Sequence, residues 1–510
     1  MDNHILALCL ATLAITICTV HHLRSSRKLL LLIPGPKCTS WIYGNMLELL
    51  LSKEYGEHEF QWQETHGQVY SIKGCFGETR LMVSDPATVK YVLNTGFFAF
   101  GPAHEKVGNM LFGHGNVFVA RGDHHRRLRN MMNPSFSSKN VRALLPILRE
   151  IGGKLGDCWD ALASPGYVDI TRTLNDAALD AMGDAIFEHS FNALAGKSEL
   201  ATMHREMVDL VSSPTEVMQL VDAVLAFIPN SVFRLACDLP IPGLLQLIQK
   251  YKKITDALSF DWVAEKRGND GSGATDFLSS LGDVPDEELG IHLRTILIAG
   301  QETMGGTLSW AFYKLAQMQE FQRELRQEIQ HERLKGQPDY NNMPLLNALI
   351  NEVLRMYCGF PLSERVATED CILPLSQALT TTTGIQISEI PIKKGQCLYV
   401  AIAAYHRLES IWGPDAGEFK PSRWLEKDLC KGPALGPHAS LLTFFGGPGV
   451  CIGWRFAILE LQVFLVELVG RFSLSLPEDD SVRPRLATTL VPETSDGGRR
   501  IPMRIEKVVT

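Results

Sequence analysis

The sequence predicts a mainly α-helical protein with small β-sheets, an α+β chain. Three observations predict it. Val69 to Ile72 and Arg80 to Ser84 carry apolar residues in the strand period. From about Val141 onward the apolar positions recur at helical spacing, with no internal repeat. Hydrophobic residues make up 45% of the 510 positions, enough for one large core, although length alone would allow about three domains.

At the N-terminus, Ile5 to Val20 carries no charge, and Arg24, Arg27 and Lys28 follow. Such a run is at the lower edge for a membrane span and close to the apolar core of a signal peptide. A signal peptide places positive charge before its apolar run. Here Asp2 precedes it and the basic cluster follows. Residues 1–28 therefore read as a transmembrane anchor that keeps the body, 29–510, cytosolic. Ile33-Pro34-Gly35-Pro36 is a stiff turn between the two.

Gly74, Gly77 and Asp85-Pro86 break the chain around the two early strands, which form a small sheet. The longest periodic stretch, Leu281 to Met318, is entered through Asp283, Pro285 and the acids Asp286, Glu287 and Glu288, whose charge suits a helix N-terminus. At about 1.5 Å per residue it would run roughly 45 to 50 Å. Lys266 to Thr275, polar and Gly-rich, reads as a surface connection. A second sheet is expected near Cys371 to Ala401, and strand again around Ile501 to Val508. Apolar Val221 to Ile228 and Ile241 to Ile248, interrupted by prolines, fit either a second membrane contact with an entrance for small molecules or ordinary core helices.

With 49 Lys+Arg against 57 Asp+Glu the net charge is −8, which excludes a nucleic-acid binder resting on a basic field. The eleven cysteines are odd in number and form no CxxC pair, so neither a disulfide framework nor a zinc ribbon is expected. Metal chemistry would have to use a lone cysteine. Phe444-Phe445-Gly446-Gly447-Pro448-Gly449-Val450-Cys451-Ile452-Gly453 puts one at the end of a glycine-rich loop that enters an apolar helix. Backbone N–H groups there stabilise a thiolate, and glycines admit a flat cofactor. A buried cysteine in a tight turn fits the loop equally well.

The pattern FxxGxxxCxG resembles the heme-binding signature of the cytochrome P-450 family, and four further strings agree with it in order. Ala299-Gly300-Gln301-Glu302-Thr303 resembles the oxygen-activating motif, and Glu352-Val353-Leu354-Arg355 the ExxR motif. Phe419-Lys420-Pro421-Ser422-Arg423-Trp424 resembles the meander, and Gly122 to Arg129 the WxxxR region. The likeness runs from the anchor to the last residues and is greatest to membrane-bound fungal members.

The resemblance implies that Cys451 is the axial thiolate of heme b (iron protoporphyrin IX), whose electron donation favours O–O cleavage. Phe444 would pack beside the sulfur, with Gly447 and Gly453 allowing close backbone approach. His125 and Arg129, four apart on a helix face, would meet heme propionates together with Arg365, while Arg126 and Arg127 point elsewhere. His125 stands where the family has tryptophan. Glu302 and Thr303 would relay protons; without the family they read as a solvated acid and a core threonine. Thr303 can also bond back to the Ala299 carbonyl. Gly300, Gly305 and Gly306 suggest a groove against the cofactor, while Met304 and Gly305 depart from the motif's usual small hydroxyl residues. Glu352, Arg355 and Arg423 would form a structural ion network. Gly449 stands where the loop commonly carries arginine or histidine, so one propionate contact is missing.

The implied activity is insertion of one oxygen atom of O2 into an apolar substrate at the endoplasmic reticulum membrane. Electrons would come from NADPH through a separate reductase, since no flavin or NADPH domain is recognisable. A terpenoid or related secondary metabolite is expected by analogy, with pocket residues near Phe97 to Val119, Phe360 to Ser363 and Thr488 to Val491. A heme-thiolate isomerase or peroxygenase and a non-catalytic heme sensor are the competing readings.

Overall fold

Asp286–Gln317 forms one helix of 32 residues, about 48 Å at 1.5 Å per residue. Helices Thr171–Met182, Leu244–Gly268, Gln319–Leu334, Pro344–Met356 and Trp454–Arg471 all pack against it. The computed structural model describes residues 30–163, 166–211, 215–237, 243–268, 286–426, 432–479, 482–487 and 489–508. The expected anchor over 1–28, most of the loop expected from Lys266, and the expected helix entry from Leu281 to Pro285 lie outside them. Lys266 itself belongs to the Leu244–Gly268 helix. Among the described residues, no helix is long and apolar enough to cross a membrane.

Among the described residues, twelve strands make four small sheets. They are β1 (Val69–Lys73), β2 (Thr79–Val83), β3 (Phe98–Ala99), β4 (Val168–Asp169), β5 (Leu362–Ala367), β6 (Cys371–Thr380), β7 (Gln386–Ile392), β8 (Cys397–Ala401), β9 (Phe472–Ser475), β10 (Arg483–Leu486), β11 (Leu490–Glu493) and β12 (Pro502–Lys507). The main sheet has the order β1-β2-β8-β5-β3. Tyr70 faces Met82 across the antiparallel β1–β2 pair, and β8 lies parallel to β2 with Tyr399 opposite Met82.

The expected late sheet is therefore two things. β6 and β7 form their own hairpin, while β8 completes the early sheet. Leu81, Met82 and Val83 are all 0% exposed, so both faces of β2 are covered, and strict alternation gives way to a continuous apolar run. Asp85-Pro86 does more than break a strand: the Asp85 carboxylate accepts from Thr88 N at 2.9 Å and Pro86 opens the helix Pro86–Asn94.

The glycines of the central helix serve packing more than a cofactor groove. A Cβ on Gly300 would sit 2.8 Å from Met182 Sδ, and one on Gly305 would fall on Asn175 Oδ1 and 2.9 Å from its Cα. Both let the helix Thr171–Met182 approach closely. Gly306 alone of the three faces open space. Met304 is buried in the core, and Gly305 faces Asn175.

The two apolar segments also separate. Helices Glu216–Leu225 and Asn230–Cys237 bury no residue, and Val217, Val221, Val232 and Leu235 are exposed. Ile248, by contrast, is 4% exposed, and its helix packs on the core.

Gly305→Ala should therefore lower stability by about 1–3 kcal/mol through overpacking on Asn175, whereas Gly306→Ala should leave it unchanged or raise it by up to about 1 kcal/mol. Thermal unfolding of the two variants measures the difference, and equal melting would contradict the packing role.

Candidate active site

Glu352 and Arg355 lie on one face of the helix Pro344–Met356 and pair at 2.8 Å through both carboxylate oxygens, each side chain 0% exposed. Glu352 Oε1 also accepts from Arg423 Nε at 3.0 Å and from Lys420 N, and Oε2 accepts from Trp424 Nε1 at 2.9 Å. Arg355 donates further to the carbonyls of His406, Ala416 and Glu418. Arg423 donates to Trp412 O, Asp415 Oδ1, Asp415 O and Glu418 O. The structure thus brings together all three residues expected in the network.

This knot reaches the cysteine loop through two contacts that sequence reasoning missed. His406, whose carbonyl Arg355 holds, accepts Leu442 N on its Nε2 at 2.9 Å. Thr443 donates its hydroxyl to Leu354 O at 2.6 Å, within the ExxR helix itself. His406 is fully buried, and burial first, then Arg355 and Arg407, holds its pKa well below the ordinary value, so the ring stays neutral and can accept. Nothing local in the sequence marks it.

The loop then turns sharply. Phe445 adopts φ +57° and Gly447 φ +62°, where a Cβ would strike Leu93 O. Cys451 N donates to Phe444 O at 2.8 Å, which closes the loop and sets the buried Phe444 beside the cysteine's backbone. Gly453 has no such constraint: a Cβ there would meet Phe136 at 3.9 Å. Gly449 likewise has nothing within 4 Å.

Cys451 is the exposed cysteine among the described free ones. It still lies among enough protein that desolvation is the largest influence and raises its thiol, opposed by the Gly453 N–H and by Arg129. Arg129 Nη1 donates to Val450 O at 2.6 Å, and Arg365 stacks over Phe445 at 5.4 Å and Phe100 at 4.0 Å. Both guanidiniums thus converge on the cysteine loop, and neither forms an ion pair with a carboxylate among the described residues. Strand alternation keeps Arg365 apart from its neighbour Glu364. Burial raises the Glu364 carboxyl, but His104, Arg80 and Tyr399 outweigh it and bring it to about 2. Burial lowers Arg365 to about 10.

His125 sits half-buried one turn from Arg129, its pKa lowered by burial, Arg129 and His124, so it remains a neutral N–H donor. Arg126 and Arg127 are exposed and pair with Asp123 and Glu288, away from the loop.

On the central helix, Thr303 donates to Ala299 O at 2.7 Å, the expected back-bond. Its methyl lies 4.0 Å from where a Cβ on Gly359 would be. Glu302 does not reach Thr303. Its Oε1 accepts instead from Thr489 at 2.8 Å, and burial raises its pKa against the opposing pull of Thr489 and Arg499.

An accessible cysteine on a glycine loop, beside two guanidiniums that pair with no carboxylate among the described residues, is compatible with a heme-thiolate type of centre, since a porphyrin brings two propionates to such cations. The family profile described as Cytochrome P450 matches residues 33–497. Cytochrome P450 monooxygenase 91 of Postia placenta is 30% identical over 517 residues, covering 93% of this chain and 94% of that protein. Cytochrome P450 monooxygenase claQ of Ampulloclitocybe clavipes is 27% identical, covering 93% and 92%. The chain belongs to the cytochrome P450 family, whose members bind heme b through a cysteine thiolate. The residues present fit that group: the thiol is exposed, the cations lack counter-charges, and the loop leaves room at Gly449.

Two outcomes are expected. Glu352→Gln leaves the buried Arg355 without its counter-charge and Arg423 with Asp415 alone, and should cost about 3–5 kcal/mol, read as a fall in the urea midpoint and loss of heme-loaded protein. Gly449→Arg meets no clash and should supply a propionate contact, slowing heme transfer to apomyoglobin about tenfold, as one charge-assisted hydrogen bond allows. Faster transfer would mean that the loop needs its glycine.

Proposed function

We propose that this protein is a membrane-bound monooxygenase that inserts one oxygen atom of O2 into an apolar substrate, using NADPH electrons delivered by a separate reductase. The convergence of Arg129 and Arg365 on the loop of an exposed Cys451 carries the reading. Cys451 is the proposed iron ligand. Arg129, Arg365 and His125 are the proposed propionate partners, and Phe444 and Gly447 hold the loop in shape. When bound, heme supplies dioxygen binding and reductive cleavage of its O–O bond.

The chain's own residues would supply orientation and protons. Glu302 is the proposed proton donor, and a raised carboxyl pKa suits a group that must carry a proton near neutral pH. Thr303 would hold or pass that proton from its hydroxyl. The walls near Phe100, Phe112 and Phe118, whose rings stack or meet edge-on, and the buried Leu490 and Val491 favour an apolar substrate. A terpenoid or related secondary metabolite is the proposed class, in keeping with the likeness to fungal monooxygenases.

Localisation to the endoplasmic reticulum membrane rests on the charge pattern of residues 1–28. Exposed Val217, Val221, Val232 and Leu235 are the proposed second membrane contact.

Cys451→Ala should abolish the strongly red-shifted Soret band of the ferrous carbonyl complex, and a mutant that keeps the band would overturn the ligand. Thr303→Ala should retain heme yet release more hydrogen peroxide per NADPH consumed. In microsomes containing reductase, NADPH-dependent product formation from a panel of terpenes separates the monooxygenase from an isomerase, a peroxygenase or a sensor.

A further inference from the structure

The acid of the central helix is held at its hairpin neighbour by one hydroxyl. Glu302 Oε1 accepts the Thr489 hydroxyl at 2.8 Å, and Thr489 is 4% exposed. Thr489 lies at the turn of the β10–β11 hairpin, where Ala487 N donates to its carbonyl at 2.9 Å. Two main-chain tethers, independent of its side chain, fix that turn. Leu490 N donates to Gly359 O at 3.0 Å, and Trp310 Nε1 donates to Leu490 O at 3.0 Å. Gly359 in turn approaches the Thr303 methyl. One hairpin end therefore meets the central helix at Glu302 and Trp310 and is tied to Gly359, while its next residues, Leu490 and Val491, are buried apolar groups.

The charged surroundings of Glu302 come from three elements. Arg499, just before β12, reaches it electrostatically. Asp209, on the helix Glu199–Val211, pairs with Arg499 at 3.3 Å and is 75% exposed on its side chain. Glu493 and Arg485 of the hairpin act on Arg499 and pair with each other at 3.5 Å. The charge nearest to the carboxylate on its solvent side is therefore Arg499, itself paired with the exposed Asp209.

We propose that Thr489 is a positioning residue for proton delivery: its hydroxyl holds the Glu302 carboxylate at the hairpin, where it takes a proton from solvent on the Arg499 side and surrenders it toward Thr303. The proposal rests on the role assigned to Glu302 above. The proton moves from water to Glu302 Oε and onward, and the carboxylate is regenerated. No electrons move in this step. A hydroxyl has a single hydrogen to donate, and giving it to Oε1 favours the ionised acid. Removing it must therefore raise the proton affinity of Glu302 and slow release.

The test uses the full-length, heme-loaded protein. The infrared carboxyl stretch that disappears in Glu302→Gln identifies the protonated acid, and its pH titration reports the group without turnover. Thr489→Val should move that midpoint upward by about one pH unit, the tenfold change expected for a hydrogen bond to a charged group. Thr489→Ser should restore it. In NADPH turnover with reductase, Thr489→Val should raise peroxide released per dioxygen consumed and shift the pH profile of the partition upward by the same amount. If Thr489→Val does not retain heme, Thr489→Ala gives the same comparison with less side chain to accommodate. An unchanged midpoint in the variant that folds overturns the proposal. If instead the midpoint moves but Glu302→Gln leaves the peroxide partition untouched, then the hydrogen bond stands and the proton-donor role of Glu302 fails.

Discussion

The structure depends on a buried ionic knot in which almost every polar valence is used. Arg355 has five N–H groups and places all five: two on Glu352 and one each on the carbonyls of His406, Ala416 and Glu418. Arg423 likewise places five, on Glu352, Trp412, Asp415 twice and Glu418. Charges taken this far from water are costly unless paired and fully hydrogen-bonded. Their value here is geometric. Six of these bonds end on backbone carbonyls between 406 and 418, so a segment with little regular structure is firmly held.

That rigidity is what the cysteine loop inherits. A soft thiolate must be held at one place and angle against a flat group, yet the loop's glycines cost conformational entropy to order. His406 and Thr443 carry the order of the knot into Leu442 and Thr443, one step before Phe444 closes on Cys451. The left-handed Phe445 and Gly447 can then persist because both ends of the turn are fixed. The two guanidiniums that converge there remain chemically available for a simple reason. Glu364, the nearest acid in sequence to Arg365, is engaged by Arg80, His104 and Tyr399 on the opposite side of its strand.

How much of this was legible in the sequence follows the range of each interaction. The central helix, the β1–β2 hairpin and the Thr303 back-bond depend on residues within a few positions, and periodicity and residue type reveal them. The ion network was legible through the resemblance, because its members sit in recognisable strings. The pairing of β8 with β2 joins residues more than three hundred positions apart, and no local pattern records it. The same holds for His406 against Leu442 and Thr489 against Glu302, in which an ordinary side chain gains its role only from what folds beside it. The glycines of the central helix show the opposite failure. Their signal was strong, but a glycine marks close approach without naming the neighbour, and at Gly300 and Gly305 the neighbour is another helix.

The side of the molecule away from the knot is built on a different principle. Helices Glu216–Leu225 and Asn230–Cys237 bury no residue, and the first is tied to the body by Lys106 Nζ, which donates to Leu225 O at 2.8 Å, and by Cys75 Sγ, which donates to Gln219 O at 3.8 Å. Segments with few buried apolar contacts open at low free-energy cost, whereas the knot opens only with the whole fold. Displacing these helices would leave the bonds that fix the cysteine loop untouched. The β10–β11 hairpin joins the two regimes, since its main chain is locked to Gly359 and Trp310 while its hydroxyl holds Glu302. Rigid at the cysteine loop, held at Glu302 and sparsely packed at these two helices, the chain separates the part that fixes geometry from the part that can yield.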